Sequence, residues 1–482
     1  MRTAETQAGL AATFRDPDGF VVQSRDRVFR KVFPHGAEAF LRYLDSPRLQ
    51  GFRDRGALVS ASPCGQDQVR EALGELPDAS RDGQWWNHPR VFFPSYPWEW
   101  SDGMLWAAAS LTLDLAEGAL KDDLVLKDAS SDNVLFDGPR PVFVDALSFS
   151  PRVPGDPIWV AQAQFEQHFL IPLILARTLG LEVHRLFRAY PKGVSPEQAA
   201  ALLPGRSWLE RYPLRYCLLP TLLARRSRAV ADGSLYAPRP AMEDATARAI
   251  LGRTFRTLRR ALGGLAPAPE RASHWAGYAQ VSNNYLPDER QAKDEFLNEV
   301  LRESAPATVL DLGANTGHFA CLAVATGACL VAVDNDHAAL ERVFVQAARE
   351  SLDITSLLVD LANPSPDSGW RNREKASFLG RAAGRFDLVL ALALFHHLLV
   401  TERVPLPDLI QWMAEFQARH WVVEWVASGD SNFRQLVRAR EALYAGLTRE
   451  TFEAALATRF DLRQRREIKK GCRWLYWLSA KV

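Results

Sequence analysis

The sequence predicts an α/β protein of two domains, and three features of its 482 residues support this class. In the C-terminal half, short runs of β-branched and aliphatic residues alternate with amphipathic segments, which is typical of a parallel sheet covered by helices. The N-terminal half combines a hairpin pattern with a long helical region, which indicates an α+β domain. Between the halves, residues 263–270 (GGLAPAPE) have the composition of a linker. We therefore expect domains of residues 1–265 and 266–482.

The N-terminal half begins with elements that short-range patterns identify. Residues 20–22 and 28–33 are apolar stretches separated by polar residues, which predicts a β-hairpin. Apolar residues at helical spacing predict a helix over 36–44 and a long buried helix over 104–120. Aromatic residues and prolines crowd residues 85–100. This segment is predicted to be an ordered, packed connection, and a binding cage is the less favoured alternative.

A polar loop between two predicted strands contains the first candidate site. A strand over 124–126 precedes Asp128 and Asn133, and a second strand over 142–144 ends at Asp145. Three oxygen-bearing side chains at the ends of neighbouring strands could hold a magnesium ion and orient a hydroxyl group. The alternative is that Asp128 and Asn133 cap turns in a structural loop.

This stretch resembles the catalytic loop and metal-binding strand of the protein-kinase-like and aminoglycoside-phosphotransferase-like folds. The resemblance implies that Asp128 is a catalytic base, that Asn133 and Asp145 bind Mg²⁺, and that ATP is a cofactor. It also implies that Arg30 or Lys31 lies near the nucleotide phosphates. The chain departs from the family pattern, because Leu-Lys precedes Asp128, Ala-Leu follows Asp145, and a single glycine stands near residue 20. A phosphotransferase and a non-catalytic domain of the same fold both remain open.

The rest of the N-terminal half, residues 156–262, reads as largely helical. His168 and His184 lie on apolar segments, where a histidine is more often part of the core or surface than a ligand. The predicted helices cover residues 159–179, 196–203, 209–230 and 241–262.

In the C-terminal half, apolar strands repeatedly end near acidic residues. Asp311, Asp334 and Asp360 each lie at the end of a predicted strand. Because ligands of parallel sheets bind beyond the carboxyl ends of the strands, we expect these three side chains at one binding edge. The predicted strands cover residues 309–312, 330–333, 356–359, 386–392 and 421–425. Helices are predicted over residues 288–301 and 338–350, and a further helix follows the strand 309–312 and ends at residue 325.

The turn after the first of these strands has the pattern D-x-G-x-N-x-G, formed by Asp311, Gly313, Asn315 and Gly317. Glycine lets the backbone approach a ligand closely, and the following helix presents N–H groups that have no partner within the helix. The dinucleotide fingerprint G-x-G-x-x-G is a different pattern. A dehydrogenase is the less favoured alternative, because it would need three glycines and would lack the final hairpin predicted below.

These features together resemble the class I S-adenosylmethionine (SAM) dependent methyltransferases over residues 275–482. The resemblance implies a Rossmann-like, seven-stranded sheet that ends in an antiparallel hairpin, for which residues 460–468 and 473–479 have the expected pattern. Such enzymes transfer a methyl group from SAM, so SAM is the expected cofactor. The sequence from about residue 19 to the end also resembles a bacterial family of methyltransferases and nodulation-related proteins.

The resemblance also implies roles for the residues at the strand ends. Asp311, Gly313 and Gly317 would surround the methionine part of SAM, and Asn315 stands where many members have glycine. Asp334 would accept hydrogen bonds from both ribose hydroxyls, and Asp360 would contact the adenine amino group.

His396, His397 and Glu424 are candidate general bases, because they follow predicted strand ends on the side of the cofactor. An equally favoured interpretation is that the two histidines support the cofactor loop. Several methyltransferases need no base at all.

Composition excludes several classes of protein. Lys and Arg number 58 against 57 Asp and Glu, so no overall charge indicates binding to nucleic acid. Five scattered cysteines form neither a C-x-x-C pair nor a zinc spacing, which favours a reducing, cytoplasmic environment. No apolar signal segment follows the first residues, and the longest apolar run, residues 388–400, is interrupted by two histidines. We therefore expect no membrane association.

The leading hypothesis is SAM-dependent methyl transfer to a small molecule or natural-product intermediate, which the N-terminal domain recognises. The first alternative is a bifunctional enzyme whose N-terminal domain binds ATP and phosphorylates a small molecule. The second is a non-catalytic protein that senses SAM.

Overall fold

The computed structural model describes residues 15–24, 27–74, 82–228, 242–267, 287–438 and 440–481. The chain divides into two compact units, Met1–Pro267 and Ala268–Val482. Helices and strands occur in both units, which confirms the predicted α/β class. No helix within the described ranges is long and apolar enough to cross a membrane. Residues 275–285, a stretch rich in aromatic side chains, lie outside the described residues.

The first unit opens with a four-stranded antiparallel sheet in the order β1-β2-β4-β3. The hairpin of β1 (Gly19–Gln23) and β2 (Val28–Val32) is confirmed. β4 (Gln84–His88) pairs with β2, and β3 (Ser62–Cys64) pairs with β4. The prediction that residues 85–100 form only a connection is therefore wrong for its first part. Because β4 pairs with a strand more than fifty residues earlier, no local turn marks it as a strand.

Helices and two short strand pairs follow this sheet. α4 (Asp102–Lys121) is capped by Ser101, whose Oγ accepts a hydrogen bond from the Met104 N–H (3.4 Å). The strand pairs are β5 (Leu124–Leu126) with β8 (Phe149–Pro151), and β6 (Val134–Asp137) with β7 (Arg140–Phe143). Within the described residues, three shorter helices lie between the strands of the first sheet, namely α1 (Pro34–Asp45), α2 (Pro47–Asp54) and α3 (Gln66–Leu73).

The described part of residues 156–267 is largely helical, as predicted. The long helix predicted over residues 159–179 is interrupted by a π-helical turn over Glu166–Leu170, which separates α5 from α6. The helices are α5 (Gln162–Phe165), α6 (Ile171–Leu179), α7 (Val183–Ala189), α8 (Pro196–Leu202), α9 (Arg211–Pro213), α10 (Leu219–Arg228) and α11 (Asp244–Gly264).

The second unit alternates strands and helices. Its helices are α12 (Pro287–Ser304), α13 (His318–Val324), α14 (His337–Glu350), α15 (Phe378–Ala382), α16 (Leu406–Glu415), α17 (Ser431–Val437) and α18 (Arg449–Leu456). Its strands are β9 (Thr308–Leu312), β10 (Cys329–Asp334), β11 (Ile354–Leu358), β12 (Leu388–Ala391), β13 (His420–Val426), β14 (Phe460–Lys469) and β15 (Arg473–Ala480).

These strands form one sheet in the order β11-β10-β9-β12-β13-β15-β14. The first five are parallel, whereas β15 runs antiparallel to both β13 and β14. The chain extends the sheet in one direction from β9 to β11 and in the other from β12 onwards. The topology therefore reverses between β9 and β12, which is where open α/β sheets bind ligands.

The two ends of this unit contact each other. α12 packs Phe296, Leu297 and Val300 into the core that covers one face of the sheet. Glu299 on the same helix accepts hydrogen bonds from Gln464 (3.1 Å) and Arg466 (2.6 Å) of β14. Helix α12, the first that the structure describes in this unit, is thus bound to the last hairpin.

Candidate functional site

Asp311, Asp334 and Asp360 lie at one edge of the second sheet. Asp311 is the fourth residue of β9, and its partner in the neighbouring β10 is Ala332, two residues before Asp334. The Val359 N–H donates to the Asp334 carbonyl (2.9 Å), so Asp360 follows directly beside the end of β10. The structure therefore brings together the three acidic residues that the sequence predicts at a binding edge.

The glycine turn is fixed against the end of β10. The N–H groups of Gly313 and Ala314 both donate to the Val333 carbonyl (2.8 and 3.0 Å). The Asn315 N–H donates to Asp334 Oδ2 (2.8 Å). This hydrogen bond fixes the backbone of the glycine turn relative to the carboxylate of Asp334. Asn315 has φ of 49°, a region that asparagine tolerates better than most residues.

Gly313 and Gly317 both have positive φ (76° and 80°). A Cβ atom at Gly317 would lie 3.0 Å from Val343 Cγ2, and one at Gly313 would lie 3.4 Å from Leu394 Cδ1. Leu394 belongs to the segment that follows β12. The glycine turn is therefore packed between α14 and the segment that carries the two candidate histidines.

Asp311 is a buried carboxylic acid with an unusual environment. It is 2% exposed, and its Oδ2 has no hydrogen-bond partner in the described part of the chain. Burial raises the pKa of Asp311 to about 7, the charge of Asp334 adds to this rise, and Lys293 opposes it. Burial also raises the pKa of Asp334, although hydrogen bonds from the backbone of Asp336 and Asn315 counteract this. Two carboxyl groups thus share a poorly solvated edge.

His396 and His397 follow β12, and their ring centroids are 4.2 Å apart. His396 is 4% exposed, and its Nδ1 atom has no hydrogen-bond partner among the described residues. Burial, His397 and Arg473 lower the pKa of His396 to about 3. Burial and Arg473 also lower the pKa of His397, which is less buried. Both rings are therefore neutral near pH 7.

Glu424 lies within β13, as the predicted strand over residues 421–425 implies, and not after a strand end as the general-base argument assumed. It is fully buried, and it accepts hydrogen bonds from Lys293 Nζ (2.8 Å) and Arg473 Nη1 (3.3 Å). A carboxylate held by two cations is a weak proton acceptor. Glu424 is therefore better described as part of an ion-pair network than as a general base.

That network extends to Asp430 and was not predicted. Arg473 donates through Nε and Nη2 to the two oxygens of Asp430 (2.8 and 3.0 Å). Burial raises the pKa of Asp430, but the bonds and charge of Arg473 outweigh it and bring the pKa down to about 2. One local signal existed, because Lys293 occupies the apolar stripe of α12 that continues through Phe296 and Val300.

A second missed residue is His318, the first residue of α13 after Gly317. Its Nε2 lies 2.8 Å from Asp294 Oδ1, and its Nδ1 lies 3.2 Å from Arg290 Nη2. These distances fit a ring that donates from Nε2 to the carboxylate and accepts at Nδ1 from the guanidinium. Side chains of α12 therefore fix the end of the glycine turn.

The candidate residues of the first unit are held by internal contacts. Asp128 Oδ1 accepts from the Ser130 N–H (3.0 Å). This contact matches the alternative in which Asp128 caps a turn. Asn133 Nδ2 donates to Ser148 Oγ (3.4 Å), and that hydroxyl donates to Asp145 Oδ2. The structure thus links Asn133 to Asp145 through a side chain.

Arg30 and Lys31, predicted near nucleotide phosphates, have other neighbours. Arg30 Nη1 forms an ion pair with Asp145 Oδ1 (2.9 Å), and Lys31 Nζ lies 5.5 Å from the centre of the Trp85 ring. Within the described ranges, no group of three or more His, Cys, Asp or Glu side chains is placed to hold a metal ion. Since Asp145 is already compensated by a guanidinium, the side chains do not fit the Mg²⁺ site that the resemblance implies.

His168 and His184 are both buried in the first unit. His168 Nδ1 lies 3.0 Å from Ser131 Oγ, and it accepts from the Ser131 N–H (3.3 Å). His184 Nε2 lies 3.7 Å from Glu182 Oε2. These contacts agree with the interpretation of both residues as core histidines.

Comparison with known proteins gave one curated relative. No protein-family model matches the chain. The chain is 31% identical over 475 residues to the nodulation protein NoeA of Rhizobium meliloti (strain 1021), which covers 97% of the chain and 95% of NoeA. The two sequences therefore match over both units.

Solved structures gave weaker likenesses. The N-methyltransferase NodS from Bradyrhizobium japonicum WM9 is 15% identical and covers 41% of the chain and 98% of NodS, with a TM-score of 0.30. The bifunctional kinase-methyltransferase WbdD is 14% identical and covers 43% of the chain and 42% of WbdD, with a TM-score of 0.29. Because both scores lie below 0.5, these likenesses are too weak to identify a ligand or a reaction.

Proposed function

The chain belongs to the family of the nodulation protein NoeA, and from this premise we propose that it is a SAM-dependent methyltransferase. The second unit would bind SAM at the carboxyl edge of β9, β10 and β12, where the topology of the sheet reverses. The observation that carries this proposal is Asp311 Oδ2, a buried carboxyl oxygen beside the glycine turn that has no partner in the described residues.

The groups at this edge fit a cofactor that is cationic at one end and carries hydroxyls in its middle. Asp311 offers a carboxyl oxygen to the ammonium group of the methionine part. Asp334, oriented by the Asn315 N–H, would accept from the ribose hydroxyls, and Asp360 would contact the adenine amino group. When bound, SAM supplies a methyl group on a sulfonium that leaves readily.

The chain's own residues then have to orient an acceptor and exclude water. His396 is a poor general base, because a pKa of about 3 gives little driving force for proton uptake. We assign His396 a hydrogen-bonding role through Nδ1 and keep His397 as the candidate base. Glu424 is assigned the role of a positioning residue, since Lys293 and Arg473 occupy its oxygens.

We infer that the acceptor is a small molecule or a natural-product intermediate and that the first unit contributes to its recognition. The support for this role is the polar loop around Asp128, whose side chains are engaged in internal hydrogen bonds. A loop organised in this way presents a fixed surface rather than open metal ligands.

Calorimetric titration of the full chain with SAM and with S-adenosylhomocysteine tests the proposal. Asp334→Ala removes the expected ribose acceptor, and we expect it to weaken binding by about 2 kcal/mol or about 30-fold. Asp408→Ala, an exposed carboxylate on α16, serves as the matched control and should bind like the wild type. Unchanged affinity in Asp334→Ala, or no binding by the wild type, would overturn the assignment.

Two alternatives predict different outcomes. A protein that only senses SAM would bind it tightly yet transfer no methyl group to any component of a fractionated small-molecule extract. A bifunctional enzyme would also bind ATP with Mg²⁺ in a manner that Asp145→Ala abolishes. The ion pair between Arg30 and Asp145 argues against the bifunctional enzyme.

A further inference from the structure

The guanidinium of Arg30 is fixed in the first unit by three contacts. Its Nη1 lies 2.9 Å from Asp145 Oδ1, its Nη2 donates to the Val144 carbonyl (3.3 Å), and its Nε donates to His88 Nε2 (3.4 Å). His88 Nδ1 is 2.8 Å from the Ser60 carbonyl, so the ring donates there and accepts from Arg30. Burial and the charge of Arg30 lower the pKa of His88 to about 4, which keeps the ring neutral near pH 7.

Asp145 uses both of its carboxyl oxygens. Oδ1 receives Arg30 and the Leu147 N–H (3.3 Å), and Oδ2 receives the Ser148 hydroxyl. Asn133 is bound to that same hydroxyl. The two side chains that the sequence resemblance marks as metal ligands are therefore connected to each other and to a guanidinium.

A magnesium ion would require a different arrangement. It needs oxygen ligands in near-octahedral geometry at about 2.0–2.1 Å, and it would stand next to the positive charge of Arg30. Arg30 is 6% exposed at its side chain, so solvent screens that repulsion weakly. The guanidinium supplies the positive charge that Asp145 needs, and it does so with a fixed geometry.

We propose that Arg30 occupies the position at Asp145 that a divalent cation takes in the sites this loop resembles. The charge of Asp145 is then balanced by the guanidinium, and the first unit binds no metal ion there. The positive charge is part of the chain and is present whether or not a ligand is bound. This inference does not depend on SAM binding, which concerns the second unit.

Titration with Mn²⁺, followed by the relaxation rate of water protons, tests the proposal on the full chain. The wild type should bind no Mn²⁺ at Asp145. We therefore expect the Mn²⁺ titrations of the wild type and of Asp145→Asn to be the same. Arg30→Met removes the internal cation and leaves the carboxylate, so we expect Mn²⁺ affinity to rise by about tenfold or more. The double variant Arg30→Met/Asp145→Asn should lose that gain.

Two matched variants serve as controls. Arg30→Lys keeps the charge and should resemble the wild type, whereas Arg27→Met removes an exposed cation from the same hairpin and should change nothing. Wild-type Mn²⁺ binding that Asp145→Asn removes would overturn the proposal. No gain in a folded Arg30→Met variant would also overturn it, because something other than the guanidinium would then exclude the metal.

If Arg30→Met fails to fold, the wild type and Asp145→Asn decide the matter by themselves. Identical Mn²⁺ titrations of these two proteins support the proposal, and a loss in Asp145→Asn contradicts it. SAM titration of every variant reports on the second unit independently, so a failure here is distinguishable from a failure of the proposed methyl transfer.

Discussion

The carboxyl groups of the two candidate sites have opposite environments. In the first unit, Asp145 is compensated by Arg30 and bound by Ser148. In the second unit, Asp311 Oδ2 is buried with no partner in the parts of the chain that the structure describes. Buried polar atoms in folded proteins nearly always have a partner, so the orphan oxygen of Asp311 is the observation on which the proposed SAM site rests. The motif at Asp145 has no such support, because its carboxylate is already paired within the chain.

The difference between Asp145 and Asp311 leads to a general expectation for mutations. Removing a cation that compensates a buried carboxylate should destabilise the chain, because the carboxylate is left unpaired. Removing an uncompensated carboxylate should cost little stability and should instead weaken ligand binding.

Arg473→Met should have the largest effect, because Arg473 bridges the buried carboxylates of Glu424 and Asp430. We expect the free energy of unfolding in urea to fall by about 3–5 kcal/mol. Lys469→Met removes a more exposed cation 3.5 Å from Asp430 and should cost less than about 1 kcal/mol. Equal losses in the two variants would show that the buried network is not what stabilises this region.

At pH 8, Asp145→Asn should lower the stability of the chain, whereas Asp311→Asn should not. The first leaves Arg30 without its charged partner and should lower the free energy of unfolding by about 1–2 kcal/mol. The second removes a carboxylate that is uncompensated and should leave stability unchanged or raise it by about 1–2 kcal/mol. Denaturant titrations of both proteins measure the two changes, and equal losses would abolish the distinction between the sites.

The pH dependence of stability should separate Asp311 from His396. The pKa of Asp311 in the fold is about 7 against an ordinary value of 3.8, so its stabilising contribution is complete at acid pH. That contribution is lost as pH rises through the folded value. The stability of Asp311→Asn relative to the wild type should therefore rise between these two pH values and stay constant above them.

The pH dependence of stability that His396 contributes has the opposite sign, because the pKa of His396 falls from 6.5 to about 3 in the fold. Its contribution is present above pH 6.5 and is lost as pH falls through the folded value. His396→Asn should accordingly gain stability relative to the wild type on acidification. Matching slopes in Asp311→Asn and His396→Asn would contradict the environments described for both side chains.

Gly317→Ala should have an effect no larger than that of Asp145→Asn. Alanine is strained at φ of 80°, and its Cβ would lie 3.0 Å from Val343 Cγ2. We expect the midpoint of thermal unfolding to fall by an amount equivalent to about 1–2 kcal/mol. Gly446→Ala, where a Cβ meets nothing within 4 Å, is the control that should unfold like the wild type.

Sequence patterns predicted the second unit better than the first. The apolar strands around Val309, Val331 and Val422 were found to within a few residues, because strands buried on both faces are continuous apolar runs. The strand at Trp85 was missed, because its partner β2 is distant and prolines follow it closely. Local patterns therefore identify strands whose own sequence carries the signal.

The site was predicted in part for the same reason. Asp311, Asp334 and Asp360 could be placed together, because their positions follow from strand ends. The role of Glu424 could not be predicted, since Lys293 lies 131 residues away along the chain. Neither could the compensation of Asp145, because Arg30 reaches it from another sheet.

The contact between α12 and β14 has a consequence for how the second unit folds. Glu299 meets Gln464 and Arg466 across 165 and 167 residues of intervening chain. Contacts of such high sequence separation form late, because the loop that they close is long and its closure is entropically unfavourable. Refolding of this unit should therefore be slow, and the docking of α12 onto the hairpin should be among its last steps.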